Sequence, residues 1–341
     1  MDRETALATW YYRRQARITL AAQRAAAREW KQLTGRDLTG AWMSGTGQRM
    51  VALVTGGQLA SATGAGEYVS RSMTVQGAPG GPPELTVNAA AFAGLAADGR
   101  PLESLLYEPV IHTKQAIGEG LELDEALGRG LADLLRIVGT EVPDAGRQAT
   151  GAGIAADKRC RGYVRVLNPP SCARCVVLAG KEYGWNAGFQ RHPHCDCVHQ
   201  PMASYRRGNP SMDPAEYFRS LDRAEQNRAF GAAGARAIRD GADINQVVNA
   251  RRGVSTVGSW VRDGVTHRGR IADSSRIGGR PRLTTTTEGM TKRGLARRRL
   301  REVEAAGRAP AGARLTPEAI YELASDRDDA IRLLYRYGYL Y

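Results

Sequence analysis

Four of the chain's five cysteines and three of its five histidines fall between residues 172 and 199. Crowding of this kind constrains the local fold of a 341-residue chain more than any hydrophobic pattern does. The segment reads Ser171-Cys172-Ala173-Arg174-Cys175, then nineteen residues, then Cys195-Asp196-Cys197, with His192, His194 and His199 around the second pair. A C-x2-C spacing lets two thiolates of one tight turn face the same ion, and the separation of the pairs matches that of zinc ribbons. The second pair is C-x-C, which leaves room for His192 or His194 to replace a thiolate. Tyr183, Trp185 and Phe189 between the pairs supply aromatics for a small local core, and Gly184 and Gly188 supply turns. A unit this small needs a staple to be stable. The expectation is a structural zinc ion on Cys172, Cys175, Cys195 and Cys197, with His192 replacing one thiolate as the main variant. Disulfides are the competing reading. Against them, the start Met1-Asp2-Arg3-Glu4 leads into a polar, Arg-rich helical pattern with no apolar run of a secretory signal, which points to a reducing cytosol. A catalytic metal would want a carboxylate base beside an open position, and Asp196 is the one candidate inside the cluster. Cys160 lies outside both pairs and reads as an ordinary thiol. His112 reads as a packed or surface histidine, and His267 carries no specific signal.

The charge of the chain is as unevenly distributed as its cysteines. Net charge is +13, yet residues 1–150 carry 15 Lys and Arg against 16 Asp and Glu, and residues 151–341 carry 33 against 19. Residues 251–301 alone hold 14 basic and 3 acidic residues. They include Arg251-Arg252, Lys292-Arg293 and the run Arg297-Arg298-Arg299. A preference of 43 Arg to 5 Lys reflects coding bias, but coding bias does not remove acids. A polyanion is the partner such a segment fits, so Arg251, Arg252, Arg297, Arg298 and Arg299 are the candidate contacts to DNA. No stretch approaches the roughly 18 apolar residues of a membrane span. A soluble chain made in the cytoplasm is expected.

Periodicity organises the rest. Residues 2–33 place Leu7, Trp10, Tyr11, Ile18, Trp30 and Leu33 at helical spacing without Gly or Pro, which predicts a long amphipathic helix. Residues 34–100 are rich in Gly, Ser, Thr and Ala. They yield only a marginal apolar stretch at 49–59 and a Gly/Pro loop at 77–84. A helix pair is predicted over 101–138, broken near Gly118-Glu119-Gly120. A short strand is predicted at Gly162–Leu167, stopped by Asn168-Pro169-Pro170. Residues 213–250 predict helices with starts at Asp213-Pro214 and at the capping-box spacing Asp222–Glu225. Small residues at Gly231, Ala232, Gly234, Ala235 and Ala237 suit close helix packing, with a turn at Asp240-Gly241-Ala242-Asp243. An extended or poorly ordered stretch follows about residue 253, and a last capped helix starts at Thr316-Pro317-Glu318. The fold class is α+β and mostly helical, with a small β-containing Cys/His subdomain and a long basic extension. Its expected parts are 1–150, helical with the loop at 77–84; 151–205, the zinc-binding domain; 206–252, a helical module; and 253–341, the basic segment and terminal helix.

Cys172-x2-Cys175, Leu178-Ala179-Gly180-Lys181 and above all His192-Pro193-His194-Cys195-Asp196-Cys197 resemble the His-Pro-x-Cys-x-Cys signature of Mu F-like head morphogenesis proteins of tailed phages. Phe230–Ile244 and Val247–Arg251 look like the version in phages of actinobacteria. Leu315–Tyr321 with Arg332-Leu333-Leu334 and Gly338-Tyr339 is similar to the ends of those proteins. The specific part of the likeness covers about residues 160–341. It implies a minor capsid protein of the virion, associated with the portal vertex and capsid interior. Its partners would be the portal protein, the major capsid protein and packaged double-stranded DNA held without sequence preference.

Some relatives of that type carry the label of capsid maturation protease. A protease needs a nucleophile, a base and an orienting group in contact. The chain has no Gly-x-Ser-x-Gly, and zinc ligation would occupy the cluster's thiolates. A zinc-bearing nuclease is the third class, weakened because the second C-x2-C that often braces such folds is absent. The reading leans against an enzyme and towards assembly of the head.

Overall fold

In the computed structural model the described residues are 3–35, 37–167, 169–188, 197–204, 213–251, 254–255, 257–262, 265–270, 276–277, 280–281, 284–288, 296, 298–299 and 314–341, with backbone alone for 254–281. They form two compact units that alternate along the chain. The first is Met1–Pro170 with Ala179–Ser211, and the second is Ser171–Leu178 with Met212–Tyr341. Mostly helical content with small antiparallel sheets is the architecture of the described residues.

The first unit is built on α1 (Arg3–Trp30), α2 (Leu38–Ala41), α3 (Gly47–Ala62), α4 (Ala65–Val75), α5 (Leu102–Gly118) and α6 (Leu123–Ala156). The predicted long first helix is present. Its buried positions, Ala8, Tyr11, Gln15, Ala22, Ala26 and Trp30, form one face packed on α3, α4 and α6. Trp30, Trp42, Met50, Leu106, Val110, Leu134 and Val138 fill the core between α1, α3, α5 and α6. Trp30 also donates its indole N–H to the Leu127 carbonyl at 3.1 Å, so burial leaves no polar atom of the ring stranded. The predicted pair over 101–138 becomes α5 and a much longer α6 that runs through Pro143 and past residue 150.

Residues 47–75, which yield only a marginal apolar stretch by pattern, are two helices. The reason is close packing between small residues. On α6, a Cβ at Gly153 would lie 3.1 Å from Val69 Cγ2 and 3.3 Å from the Gly66 Cα, and one at Gly146 would collide with Ser61. Glycines on both sides let the helix backbones approach, so apolar periodicity is weak where contact is tightest. Gln15 and Ser61 bridge the same junction, with Gln15 Nε2 donating to the Ser61 carbonyl at 2.8 Å. Glu141, buried on α6, accepts the Ala97 N–H at 2.7 Å; burial pushes its carboxyl above the usual range, and Asp144 adds to the push.

The loop expected at 77–84 is present, and the chain then passes a 3-10 turn at Ala89–Phe92. After α6 the chain forms a three-stranded antiparallel sheet of β1 (Gly162–Val166), β2 (Glu182–Gly184) and β3 (Val198–Met202), with β1 in the centre. The strand expected at 162–167 is β1. Pro201 sits on β3, at the sheet edge where a missing N–H is tolerated. Gln76 ties β3 to α4, donating to the Pro201 carbonyl at 2.7 Å and accepting the Ala203 N–H at 2.9 Å. Tyr11 stacks on Tyr68 at 4.0 Å, and Tyr68 donates to the His199 carbonyl at 2.9 Å. Cys160 is buried in this cluster, its thiol pushed up by burial.

The second unit contains α7 (Ala173–Val176), α8 (Pro214–Ser220), α9 (Arg223–Phe230), α10 (Ala232–Arg239) and α11 (Ile244–Ala250). The sequence signals hold residue by residue. Asp213 accepts from Ala215 and Glu216, Asp222 and Glu225 complete a capping box, and Asp243 caps α11. Gly241 turns the chain between α10 and α11 at φ +97, a conformation that favours glycine. Beyond α11 the described residues include short antiparallel strand pairs. β5 (Val257–Arg262) and β6 (Val265–Arg270) make a hairpin, β7 (Arg276–Ile277) pairs with β8 (Arg280–Pro281), and β9 (Thr285–Thr286) lies between β4 (Val254–Ser255) and β10 (Arg314–Leu315). Thr316 caps α12 (Pro317–Leu323), and Asp326 caps α13 (Arg327–Arg336).

Among the described residues of this unit Arg314 is the largest fully buried side chain, 1% exposed. Its Nη1 donates to the Tyr337 carbonyl at 3.0 Å, its Nη2 to Gln246 Oε1 at 3.0 Å, and its guanidinium lies 4.3 Å from the Tyr339 ring centroid. Burial pulls its pKa below the usual arginine value. The cation stays charged regardless, because arginine starts so far above neutrality.

Candidate functional site

The cysteine hook is a single turn. Cys172 precedes α7 and its sulfur accepts the Cys175 N–H at 3.4 Å, while Cys175 is buried. Ser171 is fixed by its own N–H, donated to Tyr217 Oη at 3.1 Å. Cys172 and Cys175 belong to the second unit. Cys197 belongs to the first, buried at the entrance to β3, where its carbonyl accepts Arg147 Nε at 3.1 Å. Arg147 is held in turn by Asp144 at 2.6 Å. The candidate ligands His192 and Cys195, with His194 and Asp196, lie outside the described residues. Among the described residues no group of three or more His, Cys, Asp or Glu gathers as a metal site, and no disulfide joins two cysteines.

The strand pairs on either side of the hook show what its flanks do. Tyr183 on β2 stacks on Tyr163 of β1 at 5.1 Å, and His199 on β3 lies 4.3 Å from the Tyr163 ring. The aromatics expected to make a small local core thus include Tyr183, whereas Trp185 is exposed. His112 is a surface histidine that pairs with Asp133 at 2.7 Å.

The basic candidates divide by what their guanidinium groups touch. Arg251 donates to the Phe230 carbonyl and pairs with Glu318 at 3.6 Å. Arg299 donates to the Tyr335 and Leu340 carbonyls, at 2.5 and 2.6 Å, and lies 3.7 Å over the Tyr335 ring. Both hold the terminal module together from within, a role invisible in a count of charges. Arg298 is exposed. Arg252 and Arg297 lie outside the described residues.

Several cavities line the described residues of the first unit. One of about 200 Å³ lies between α1, α6 and β3, bordered by Tyr12, Gln15, Thr19, Pro143, Arg147 and His199. A larger one of about 600 Å³ opens under the loop at 78–85, beside Lys158, Arg159 and Arg161. Arg159 is already committed, since Asp157 binds it at 2.6 Å and Ser70 accepts from it at 2.9 Å.

The fold and the hook define a class: a mostly helical protein with a small three-stranded sheet and, between the first two strands in sequence, a two-cysteine turn. Residues 3–224 match the family model described as VG15 protein, more than half of the chain. The chain belongs to that family. No curated protein and no solved structure matches it. None of the described helices is long and apolar enough to cross a membrane.

Proposed function

We infer that this chain is a minor head protein of a tailed phage, of the Mu F-like head morphogenesis type, assembled in the host cytoplasm and placed at the portal vertex and capsid interior. One observation carries the reading: the Cys172–Cys175 hook followed by His192-Pro193-His194-Cys195-Asp196-Cys197, the motif that the resemblance rests on. The acid-poor C-terminal region supports it, because a protein facing packaged DNA meets the densest polyanion of the particle. Its partners in this reading are the portal protein, the major capsid protein and double-stranded DNA.

The test is co-expression of portal, major capsid protein and this chain, against the same mixture without it. The expected result is a major capsid protein of unchanged intact mass, with this chain co-purifying in particles. A capsid protein shortened only in the presence of this chain would make it the maturation protease instead, and its absence from particles would overturn the head-protein reading.

Zinc belongs to the reading as a structural staple. The Cys172 sulfur accepting the Cys175 amide fits that role, since one short turn carries both residues of the C-x2-C spacing. The remaining ligands are those named by the spacing: Cys195 and Cys197, or His192. Replacing Cys172→Ser and Cys175→Ser together in the full chain should abolish zinc retention, measured by elemental analysis, and lower hydrogen-exchange protection around residues 160–205. A double variant that keeps its metal and its protection would end the zinc assignment.

A further inference from the structure

The outer face of α1 carries a cationic stripe that the rest of the first unit does not neutralise. Arg13, Arg17, Arg24 and Arg28 follow one another at intervals of 4, 7 and 4 residues, which places them on one side of a helix. All four are exposed, and the buried positions of α1 lie on the opposite side. From Thr5 to Arg28 the sequence contains no Asp or Glu. At 1.5 Å per residue the four arginines extend over roughly 23 Å, and Arg3, on the same side, lengthens the line to roughly 38 Å.

Seven other arginines of this unit contrast with the stripe. Arg49 pairs with Glu29, Arg71 with Glu67, Arg100 with Asp98 and Glu108, and Arg129 with Glu125. Arg136 pairs with Asp133, Arg147 with Asp144 and Arg159 with Asp157. Among the described residues none of Arg13, Arg17, Arg24 and Arg28 has a carboxylate within ion-pair distance. A generally charged surface would intersperse both signs, as the outer faces of α5 and α6 do. Trp10, 47% exposed, lies along the same line, with the Arg71 guanidinium 5.6 Å from its ring centroid. A membrane-surface helix sets its apolar face against lipid, but the apolar face of α1 is already spent in the core.

We propose that the exposed stripe Arg13, Arg17, Arg24 and Arg28 of α1 is a docking surface for the phosphate backbone of double-stranded DNA. The pairs Arg13/Arg17 and Arg24/Arg28 each span one helical turn, about 6 Å, so each pair can engage neighbouring phosphates on one strand. Arginine suits this contact because its planar fork meets phosphate oxygens in pairs. Recognition by such a line is indifferent to base sequence. The proposal deepens the reading given above by moving DNA contact from the C-terminal run alone to the N-terminal unit, where charge totals are balanced and hide it.

The experiment measures binding of the full chain to a labelled mixed-sequence DNA duplex across about 50 to 200 mM salt. It compares wild type, the variant Arg13→Gln, Arg17→Gln, Arg24→Gln and Arg28→Gln, and a second variant with Arg297→Gln and Arg298→Gln, which spares the structural Arg299. Glutamine keeps helix propensity close to that of arginine. The α1 variant should bind at least ~10-fold more weakly, and its slope of log affinity against log salt should fall by about 3 to 4. Protection of Arg13, Arg17, Arg24 and Arg28 from phenylglyoxal by duplex, read on wild type, reports the same contact without any substitution. Unchanged affinity and slope in the α1 variant overturn the proposal. If the Arg297→Gln, Arg298→Gln variant alone then loses affinity, DNA contact survives elsewhere. A wild type without affinity for duplex also overturns it, while particle incorporation judges the head-protein reading separately. Displacement of duplex by polyglutamate at equal charge would overturn it in favour of an acidic protein face.

Discussion

Replacing Trp30 by alanine should destabilise the first unit by about 3–5 kcal/mol, the range for truncating a buried aromatic. The side chain is almost wholly inside the core between α1 and α6, and its indole donates to the Leu127 carbonyl. Truncation therefore leaves a cavity and an acceptor without its donor. The surroundings have little means to collapse. Gly130 on α6 lies so close that a Cβ there would stand 2.6 Å from Trp30 Cζ2. The gap opens beside a glycine whose missing side chain cannot fill it. Urea unfolding followed by peptide-resolved hydrogen exchange would locate the loss in α1, α5 and α6. A midpoint shift equivalent to less than about 1 kcal/mol would show that the junction repacks.

The second large effect is expected at Arg314. Alanine there should cost the second unit about 3–4 kcal/mol, combining a lost buried stem with the loss of its hydrogen bonds to the Tyr337 carbonyl and Gln246. The guanidinium also packs on Tyr339, whose hydroxyl donates to the Leu315 carbonyl at 2.8 Å, so three segments lose a shared partner at once. Methionine separates the causes. It restores most of the stem volume and none of the donors, so Arg314→Met should recover a part of the loss, with the remainder belonging to hydrogen bonding. If methionine and alanine were equally damaging, packing would contribute nothing. If methionine matched wild type, the charge would be dispensable, as replaced buried ions sometimes are.

Local chemistry made much of the second unit legible before any coordinates. Asp213, the Asp222–Glu225 pair and Thr316 announce helix starts because a short side chain accepting an amide is a decision made within four residues. The long first helix and α5 are equally plain, since their apolar residues recur on one face. Pattern failed over 47–75, where Gly57, Gly66 and Ala62 create contact by being small, and smallness leaves no periodic signal. It failed for α6 beyond 138, where Pro143 and a series of glycines look like breakers yet sit against α3 and α4. It also failed for β2 and β3, which are short, and one of which contains a proline.

The candidate site was legible in a different sense. Spacing identified the Cys172–Cys175 turn, and the structure describes that turn as a hydrogen-bonded hook. It offered no means of telling a structural arginine from an available one. Arg251 and Arg299 look like the neighbours of a DNA-binding run, yet carbonyls of α9 and of the C-terminal end hold them. Arg13 and Arg24 look unremarkable in a balanced N-terminal half. Only the placement of carboxylates in three dimensions separates the two groups.

The alternation of the two units along the chain bears on synthesis at the ribosome. Ser171–Leu178 is made before Ala179–Ser211 but belongs with residues made later. The first unit therefore cannot complete its sheet when residue 170 emerges: β1, its central strand, must wait for β2 and β3. Until then both edges of β1 are open, and open edges invite pairing with other chains. A nascent polypeptide of this design passes through an interval of exposure that a simple head-to-tail arrangement of domains would avoid, and its first half matures only once the segment through β3 has been delivered.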